Sequence, residues 1–356
     1  MVRVVLEGKM KAMVLHNWVS KWGSNLKLED VTIPELGPSD VLVKVKACGV
    51  GLSVSNFMMG AIGKNPALLP KIPGDEITGV VAETGTAVQN FAVGDRVVVY
   101  IFVTCDHCKY CLSGKQDLCT NFGGWIGRHL NGGYAEYVKV PANCLFKLPD
   151  EVSFVDGTVI NTALAASVHA LESRGQMQFG ETVTIIGAAG GVGVHMSQLA
   201  KLYGARVIGV DVDDEKLKRT ADYGVDVRIN ASTSNVPEEV KKATAGGGAD
   251  IVVDLVGSPK TMSDALNSLG RAGRFVNLTT HPGVKFEVPS AKLVVDEVVI
   301  TGSRYTTKHE FLKALELVRS GRVKPVISGS STLPEVEKLH VLLAENKLFG
   351  RGVLVT

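Results

Sequence analysis

The sequence predicts an α/β protein of two domains, with a doubly wound parallel sheet interrupting a β-rich unit made from both ends of the chain. Three observations carry this expectation. Up to about residue 150 the chain shows short strand patterns set off by turn residues. From 157 to 304 continuous β-branched runs alternate with helical stretches, the pattern of βαβ units around a parallel sheet. Beyond 304 two amphipathic helices and a short strand complete the chain, which assigns 1–156 and 305–356 to one domain and 157–304 to the other. A chain of 356 residues is long enough for two cores.

In the first part, Val41, Val43 and Val45 alternate with Leu42, Lys44 and Lys46, a period-2 strand running into Ala47-Cys48-Gly49. Further strands are expected over Gly79–Glu83, within Gly94–Val99, and over Tyr134–Val140 after Gly132-Gly133, while Val97–Val103 reads as one buried strand. In the middle part, Thr182–Ile186 is apolar and β-branched throughout, as a strand covered on both faces requires. A glycine-rich turn follows, then helix from Val192 to Tyr203, strand Arg206–Val210 and a charged helix from Glu215 to about Asp222. Strands are also expected at Val227–Asn230, Ile251–Asp254, Phe275–Leu278 and Val298–Gly302. The last part reads as helices near Lys308–Ser320 and Leu333–Asn346 and a strand at Gly352–Val355.

Composition excludes several functions. A net charge of +2 supplies no field for nucleic acid or an anionic membrane. Met1 to Met13 lacks the apolar core of a signal peptide, and no apolar run approaches the roughly 18 residues of a membrane span. A cytoplasmic location is expected. In a reducing compartment, four of the six cysteines crowded into one segment favour metal over disulfides.

The turn Ala188-Ala189-Gly190-Gly191-Val192-Gly193 stands between the first buried strand and its helix. Small residues there let the backbone turn tightly and approach a pyrophosphate, whose charge meets the helix N-terminus. This is the dinucleotide signature of a Rossmann domain, with Ala188 in place of the first glycine and Gly187 just before it. Asp211 closes the second strand, where a carboxylate accepts hydrogen bonds from ribose hydroxyls and repels the 2′-phosphate of NADP; NAD(H) is therefore expected. Lys216 stands five positions further, on the next helix, within reach of the same ribose or on the surface.

Cys105, Cys108, Cys111 and Cys119 offer four thiolates on a compact loop. Four soft ligands fill a tetrahedral shell and leave no position for substrate, which predicts one structural Zn²⁺ per chain. An iron–sulfur cluster is the weaker reading, because its usual spacing and Cys-Pro end are missing.

Together these features resemble the zinc-containing alcohol dehydrogenases of the medium-chain dehydrogenase/reductase superfamily, from Met10 onward. The likeness includes the cysteine loop, Gly94-Asp95-Arg96-Val97, Gly132 to Tyr137, the glycine turn, Val210-Asp211, Ser331 to Val336 and Gly350-Arg351. It implies a GroES-like catalytic domain beside the Rossmann domain. It also implies a pyrophosphate contact for Arg351, a place near the nicotinamide for Leu278, Thr279 and Thr280, and a homodimer or homotetramer using the edge of Val298–Gly302. Where such enzymes keep catalytic zinc ligands, this chain has Gly51, Asp75 within Pro73-Gly74-Asp75-Glu76, and Asn161-Thr162. At most one of these is a metal ligand, so a catalytic zinc is expected to be absent. Cys48 and Cys144 read as packing residues, His169 and His195 lie on helices in packing or surface roles, and His129 lies in a loop without an assigned place.

Loss of that metal constrains the chemistry. Zinc lowers the pKa of bound water from about 15.7 to about 7, roughly 12 kcal/mol, whereas one hydrogen bond to a charged group contributes about 1.5–3 kcal/mol. One reading keeps alcohol–carbonyl interconversion and assigns the work to Ser53, which the resemblance makes the proton-passing hydroxyl, with Asp75 beside Glu76 as base or donor. A second delivers hydride to a conjugated C=C bond (enone, quinone or enoyl), with Asn56 and Ser53 binding the carbonyl and Trp125 as a pocket wall. A third is an NAD(H)-binding protein without turnover. The substrate is expected to be a small carbonyl, alcohol or enone.

Overall fold

The computed structural model describes residues 8–23, 25–61 and 63–356, so the first half of the Met1–Met13 stretch lies outside the described residues. The chain divides into two compact units. One comprises Met1–Asn161, Thr307–Arg319 and Ile327–Thr356; the other comprises Thr162–Thr306 and Ser320–Val326. The boundaries lie a few residues beyond those read from the sequence, and a short return, Ser320–Val326, joins the second unit.

The second unit holds a six-stranded sheet in the order Val227–Asn230, Arg206–Asp211, Thr182–Ile186, Ala249–Asp254, Leu269–Asn277 and Val299–Gly302. Every pairing is parallel. Its centre is the Thr182–Ile186 strand, where Val183 and Ile185 are fully buried, as a run with no polar face demands. The strand ending at Asn277 begins at Leu269, earlier than the sequence pattern suggested, because Gly270 and Gly273 carry it through a tight approach that hides its start. Helix Gly193–Leu202 packs on the strands before and after it.

The first unit is built on a seven-stranded sheet. Its main path runs Ile327–Ser331, Arg351–Val355, Asp40–Val50, Glu76–Thr84, Arg96–Val99 and Leu145–Lys147, and Tyr137–Pro141 also pairs with Asp40–Val50. Gly352 opposes Val50 and Val353 opposes Gly49 in antiparallel register, so the two ends of the chain do build one sheet. The expected single strand over Val97–Val103 is two, Arg96–Val99 and Phe102–Val103, interrupted by buried Tyr100 and Ile101. Hydropathy alone does not register that break, since both halves are equally buried. Phe102–Val103 instead pairs with Gly124–Trp125. The sequence also concealed Lys9–Leu15, which pairs with Leu26–Thr32, and Ile327–Ser331.

The apolar-run expectation needs correction at one place. Phe154–Arg174 is a helical stretch of 21 residues, apolar and long enough to cross a membrane by composition, but 83% of its apolar window is buried inside the structure. It includes π-helical turns at Ile160–Ala165 and His169–Arg174. This is how a core helix behaves.

Candidate active site and cofactor site

In the Rossmann unit the turn after Thr182–Ile186 is held by Gly187, at φ +88°, whose N–H donates to the Val210 carbonyl at 2.8 Å. A Cβ on Gly193 would lie 2.3 Å from the Gly187 oxygen and 2.6 Å from the Ala188 Cα, so only glycine lets the helix start this close to the strand. Ala188 and Ala189 are fully buried beneath the turn. Ala188 thus occupies the first glycine's place without strain, since its methyl packs inward.

Asp211 ends its strand with one carboxylate oxygen accepting from the Val212 N–H at 2.8 Å and the other from the Ala189 N–H at 3.0 Å. The glycine turn and the carboxylate are therefore one fixed assembly. Lys216 is not a surface lysine: it is 6% exposed on helix Asp214–Thr220, and its backbone N–H donates to Asp213, the helix cap. Leu278, Thr279 and Thr280 follow the Leu269–Asn277 strand, with Leu278 N–H donating to Asp254 and Thr279 N–H to the Asn277 side chain. His195 is fully buried; its ring bonds the Gly191 carbonyl and the Val326 N–H, a packing role as expected.

The four cysteines converge. Their sulfurs all lie within 4.8 Å of one another, with Cys105 3.5 Å from Cys119 and 3.9 Å from Cys111. Zn–S bonds of about 2.3 Å put tetrahedral sulfurs about 3.8 Å apart, so the spacing fits. Backbone N–H groups of Cys111 and Thr120 pull the Cys108 thiol down to about 5, whereas burial pushes Cys111 up to about 12. A cation among the sulfurs resolves that conflict by favouring all four thiolates. Among the described residues this is the one gathering of three or more Cys, His, Asp or Glu ligands close enough to share an ion.

The positions that would hold a second zinc carry a different assembly. Ser53, in the first turn of helix Leu52–Met58, donates from Oγ to Asp75 Oδ2 at 2.7 Å. Arg128 donates from Nη2 to the same Ser53 Oγ at 2.8 Å, and that nitrogen lies 3.5 Å from Asp75 Oδ2. Both charged side chains are only 3% exposed. Arg128 sits in the turn after Gly124–Trp125, and glycines press this turn against the Asp75 loop. A Cβ on Gly127 would meet the Gly74 oxygen at 2.5 Å, and one on Gly132 would meet it at 2.0 Å. The Trp125 ring lies 3.8 Å from the guanidinium carbon and stacks on Phe102, so it supports the cation.

The residues at the would-be ligand positions do not fit a metal. Gly51 offers no ligating side chain, and a Cβ there would lie 2.2 Å from Arg351 Nη1, so the guanidinium takes up the space beside it. Asp75 already faces a guanidinium, beside which a divalent ion would be repelled. Asn161 donates from Nδ2 to the Val99 carbonyl at 3.1 Å, and its Oδ1 is buried without a hydrogen-bond partner among the described residues.

Glu76, expected beside Asp75 in the chemistry, points elsewhere. It is 1% exposed and pairs with Arg351 at 2.9 Å; Gly49 leaves room for it, since a Cβ there would lie 2.0 Å from its carboxylate. The pair ties Glu76–Thr84 to Arg351–Val355, the two strands that flank Asp40–Val50, a structural role. Asn56 lies three residues after Ser53 on the same helix, with no side-chain hydrogen bond to Ser53, Asp75 or Arg128. Cys48 is fully buried, and burial, then Asp75 and Glu76, raise its thiol well above the ordinary range. Cys144 is likewise buried and pushed up to about 12.

Arg128 and His129 also line a pocket of about 370 Å³ with Phe57, Gly63, Lys64, Asn65 and Leu68. Trp125 is not among these residues. Burial, then Arg128 and Lys71, lower the His129 pKa. The sequence reading missed Arg128 because it lies 75 residues from Ser53; its one signal was a charged residue inside a glycine-rich stretch next to a tryptophan.

A glycine turn fixed to a strand-end carboxylate, with a GroES-like sheet bearing a four-cysteine loop, defines a nicotinamide-dependent dehydrogenase. Residues 37–150 match the family described as alcohol dehydrogenase GroES-like domain, and residues 191–320 match zinc-binding dehydrogenase. The NAD-dependent alcohol dehydrogenase of Sulfolobus acidocaldarius is 36% identical over 352 residues, 97% of this chain and 99% of that enzyme. The acryloyl-coenzyme A reductase of Metallosphaera sedula is 30% identical over 98% of this chain and 100% of that one. A crystal structure of an NAD-dependent alcohol dehydrogenase superposes with TM-score 0.88 at 32% identity, covering 98% of this chain and 100% of that chain. The chain belongs to the zinc-containing alcohol dehydrogenase family of the medium-chain dehydrogenase/reductase superfamily, and it is an NAD-dependent oxidoreductase acting on small molecules. The reading as a cofactor-binding protein without turnover is set aside by these relatives.

Proposed function

We propose that this enzyme interconverts an alcohol with a ketone or aldehyde without a metal ion at its reacting centre. The observation that carries the reading is the part-buried hydrogen bond from Ser53 to Asp75, at the place where the family resemblance expects a zinc ligand. A serine hydroxyl has one proton and two lone pairs. Ser53 gives its proton to Asp75 and accepts from Arg128, which leaves one lone pair for a substrate hydroxyl. In alcohol oxidation the substrate proton passes to Ser53 as the serine proton passes to Asp75; carbonyl reduction reverses both movements. NAD(H), when bound, supplies or accepts the hydride.

In the Rossmann unit, Ala188 to Gly193 cradle the pyrophosphate, Asp211 takes the ribose hydroxyls, Lys216 supports it, and Leu278 to Thr280 flank the nicotinamide. Arg351, paired with Glu76, adds charge for the pyrophosphate. Cys105, Cys108, Cys111 and Cys119 hold one Zn²⁺ with a purely structural task. Two chains associate through the Val299–Gly302 edge strand.

A second reading is favoured by one observation: a full-length relative is an acryloyl-coenzyme A reductase. Under it, the same oxygen-binding groups stabilise an enolate while hydride enters a conjugated C=C bond. Zinc analysis combined with NADH oxidation against paired panels of ketones and enones separates the two. One zinc per chain with ketone turnover is expected. Turnover of enones alone selects the second reading, and two zincs per chain overturn the metal-free centre.

A further inference from the structure

We propose that the Arg128 guanidinium is the electrophile of this active site, a protein cation that binds the substrate carbonyl oxygen in the role relatives give to zinc. The inference deepens the metal-free reading and rests on it. Four features converge on this side chain. It is nearly fully buried, so its charge acts in a medium of low dielectric. It is held from two sides, by the Ser53 hydroxyl at 2.8 Å and the Trp125 ring at 3.8 Å, so no reorganisation is needed when charge develops nearby. It is one of the residues lining the pocket with Phe57 and Leu68, so a small organic molecule there lies against this side chain. It also shares Ser53 with Asp75, which brings the proton path and the positive charge to the same oxygen.

In carbonyl reduction the C=O π bond breaks toward oxygen as a hydride forms the new C–H bond. The developing oxyanion accepts N–H hydrogen bonds from Arg128, and its proton arrives from Ser53 as Ser53 takes one from Asp75, which solvent has protonated beforehand. Arginine keeps all its protons, because a guanidinium does not deprotonate in proteins. The division of labour is therefore fixed: Arg128 polarises, and Ser53 with Asp75 moves the proton. Such a cation activates ketones and aldehydes less than zinc does, which restricts the enzyme to carbonyls that are already electrophilic.

The test compares wild type, Arg128→Lys and Arg128→Ala, all as full-length protein with NADH. Binding of isobutyramide, an unreactive carbonyl, to the enzyme with NADH is measured by fluorescence titration, and kcat/KM is measured for the best reducible substrate. Arg128→Ala is expected to lose about 10²–10³-fold in kcat/KM and at least tenfold in amide affinity, with unchanged NADH affinity. Added guanidinium ion is expected to restore part of both, which a purely structural arginine would not allow. Arg128→Lys keeps a charge in the site and serves if the alanine variant does not fold; an intermediate loss in both readouts is expected. Amide binding that is absent in wild type, or equal in all three proteins, overturns the proposal whether or not ketones are the substrate. Ketone inactivity of wild type with Arg128-dependent amide binding instead overturns alcohol–carbonyl chemistry and leaves the electrophile in place.

Discussion

Asp75 and Arg128 are charges that water hardly reaches, and an isolated buried carboxylate is costly. Each therefore depends on the other and on Ser53. Asp75→Asn removes the proton acceptor while keeping shape, and it is expected to lower kcat for alcohol oxidation about 10²-fold. Steady-state kinetics across pH checks this; an unchanged kcat removes Asp75 from the proton path. Asp211→Gly acts on another property. Without that carboxylate the repulsion of a 2′-phosphate disappears, and kcat/KM for NADPH relative to NADH is expected to rise at least tenfold.

His340 poses a separate problem of residue chemistry. It is buried between Ser55, at 2.7 Å from Nδ1, and the Tyr134 hydroxyl, at 2.9 Å from Nε2, with Trp22 stacked on its ring. Burial lowers its pKa to about 3, against an ordinary value near 6.5. The unfolded chain thus binds a proton that the folded one refuses, so this group's contribution to stability is full above about pH 6.5 and falls as pH drops toward 3. Urea midpoints at pH 7 and pH 5 should differ less for His340→Gln than for wild type.

At the scale of elements, two loops have contrasting needs. The glycine turn is held by close backbone approach, and Gly193→Ala pushes a methyl into the Gly187 carbonyl. Loss of NADH affinity with a lowered Tm is expected, and calorimetry would show it. The cysteine loop carries little regular structure beyond the short helix Lys109–Leu112 and a turn at Gln116–Leu118, so its order depends on the metal. Cys108→Ser or strong chelation is expected to remove one zinc and lower Tm by several degrees, while kcat measured well below that temperature stays within about twofold. A proportional loss of kcat would place this metal in the chemistry.

For the molecule as a whole, the Val299–Gly302 strand closes one side of the Rossmann sheet, with Val299 half exposed and Val294 and Val295 mostly exposed just before it. A sheet edge beside apolar side chains suits a second copy of the same chain. Val299→Asp with Val295→Asp is expected to shift the sedimenting species to monomer at micromolar concentration.

Much of this organisation was legible in the residues alone, for a physical reason. The parallel strands, the glycine turn with Asp211, and the four-cysteine loop are each written in contiguous segments, where backbone sterics and ligand spacing act locally. Gly51 and Asp75, at the positions where the resemblance expects zinc ligands, could also be read from the sequence. How the side chains around them pair could not. Arg128 reaches Ser53 across 75 residues of chain, Glu76 turns away from Asp75 to meet Arg351, and Lys216 lies buried although its helix is charged. Those outcomes depend on which loops tertiary packing presses together, and burial then makes each charge take whichever partner is within reach.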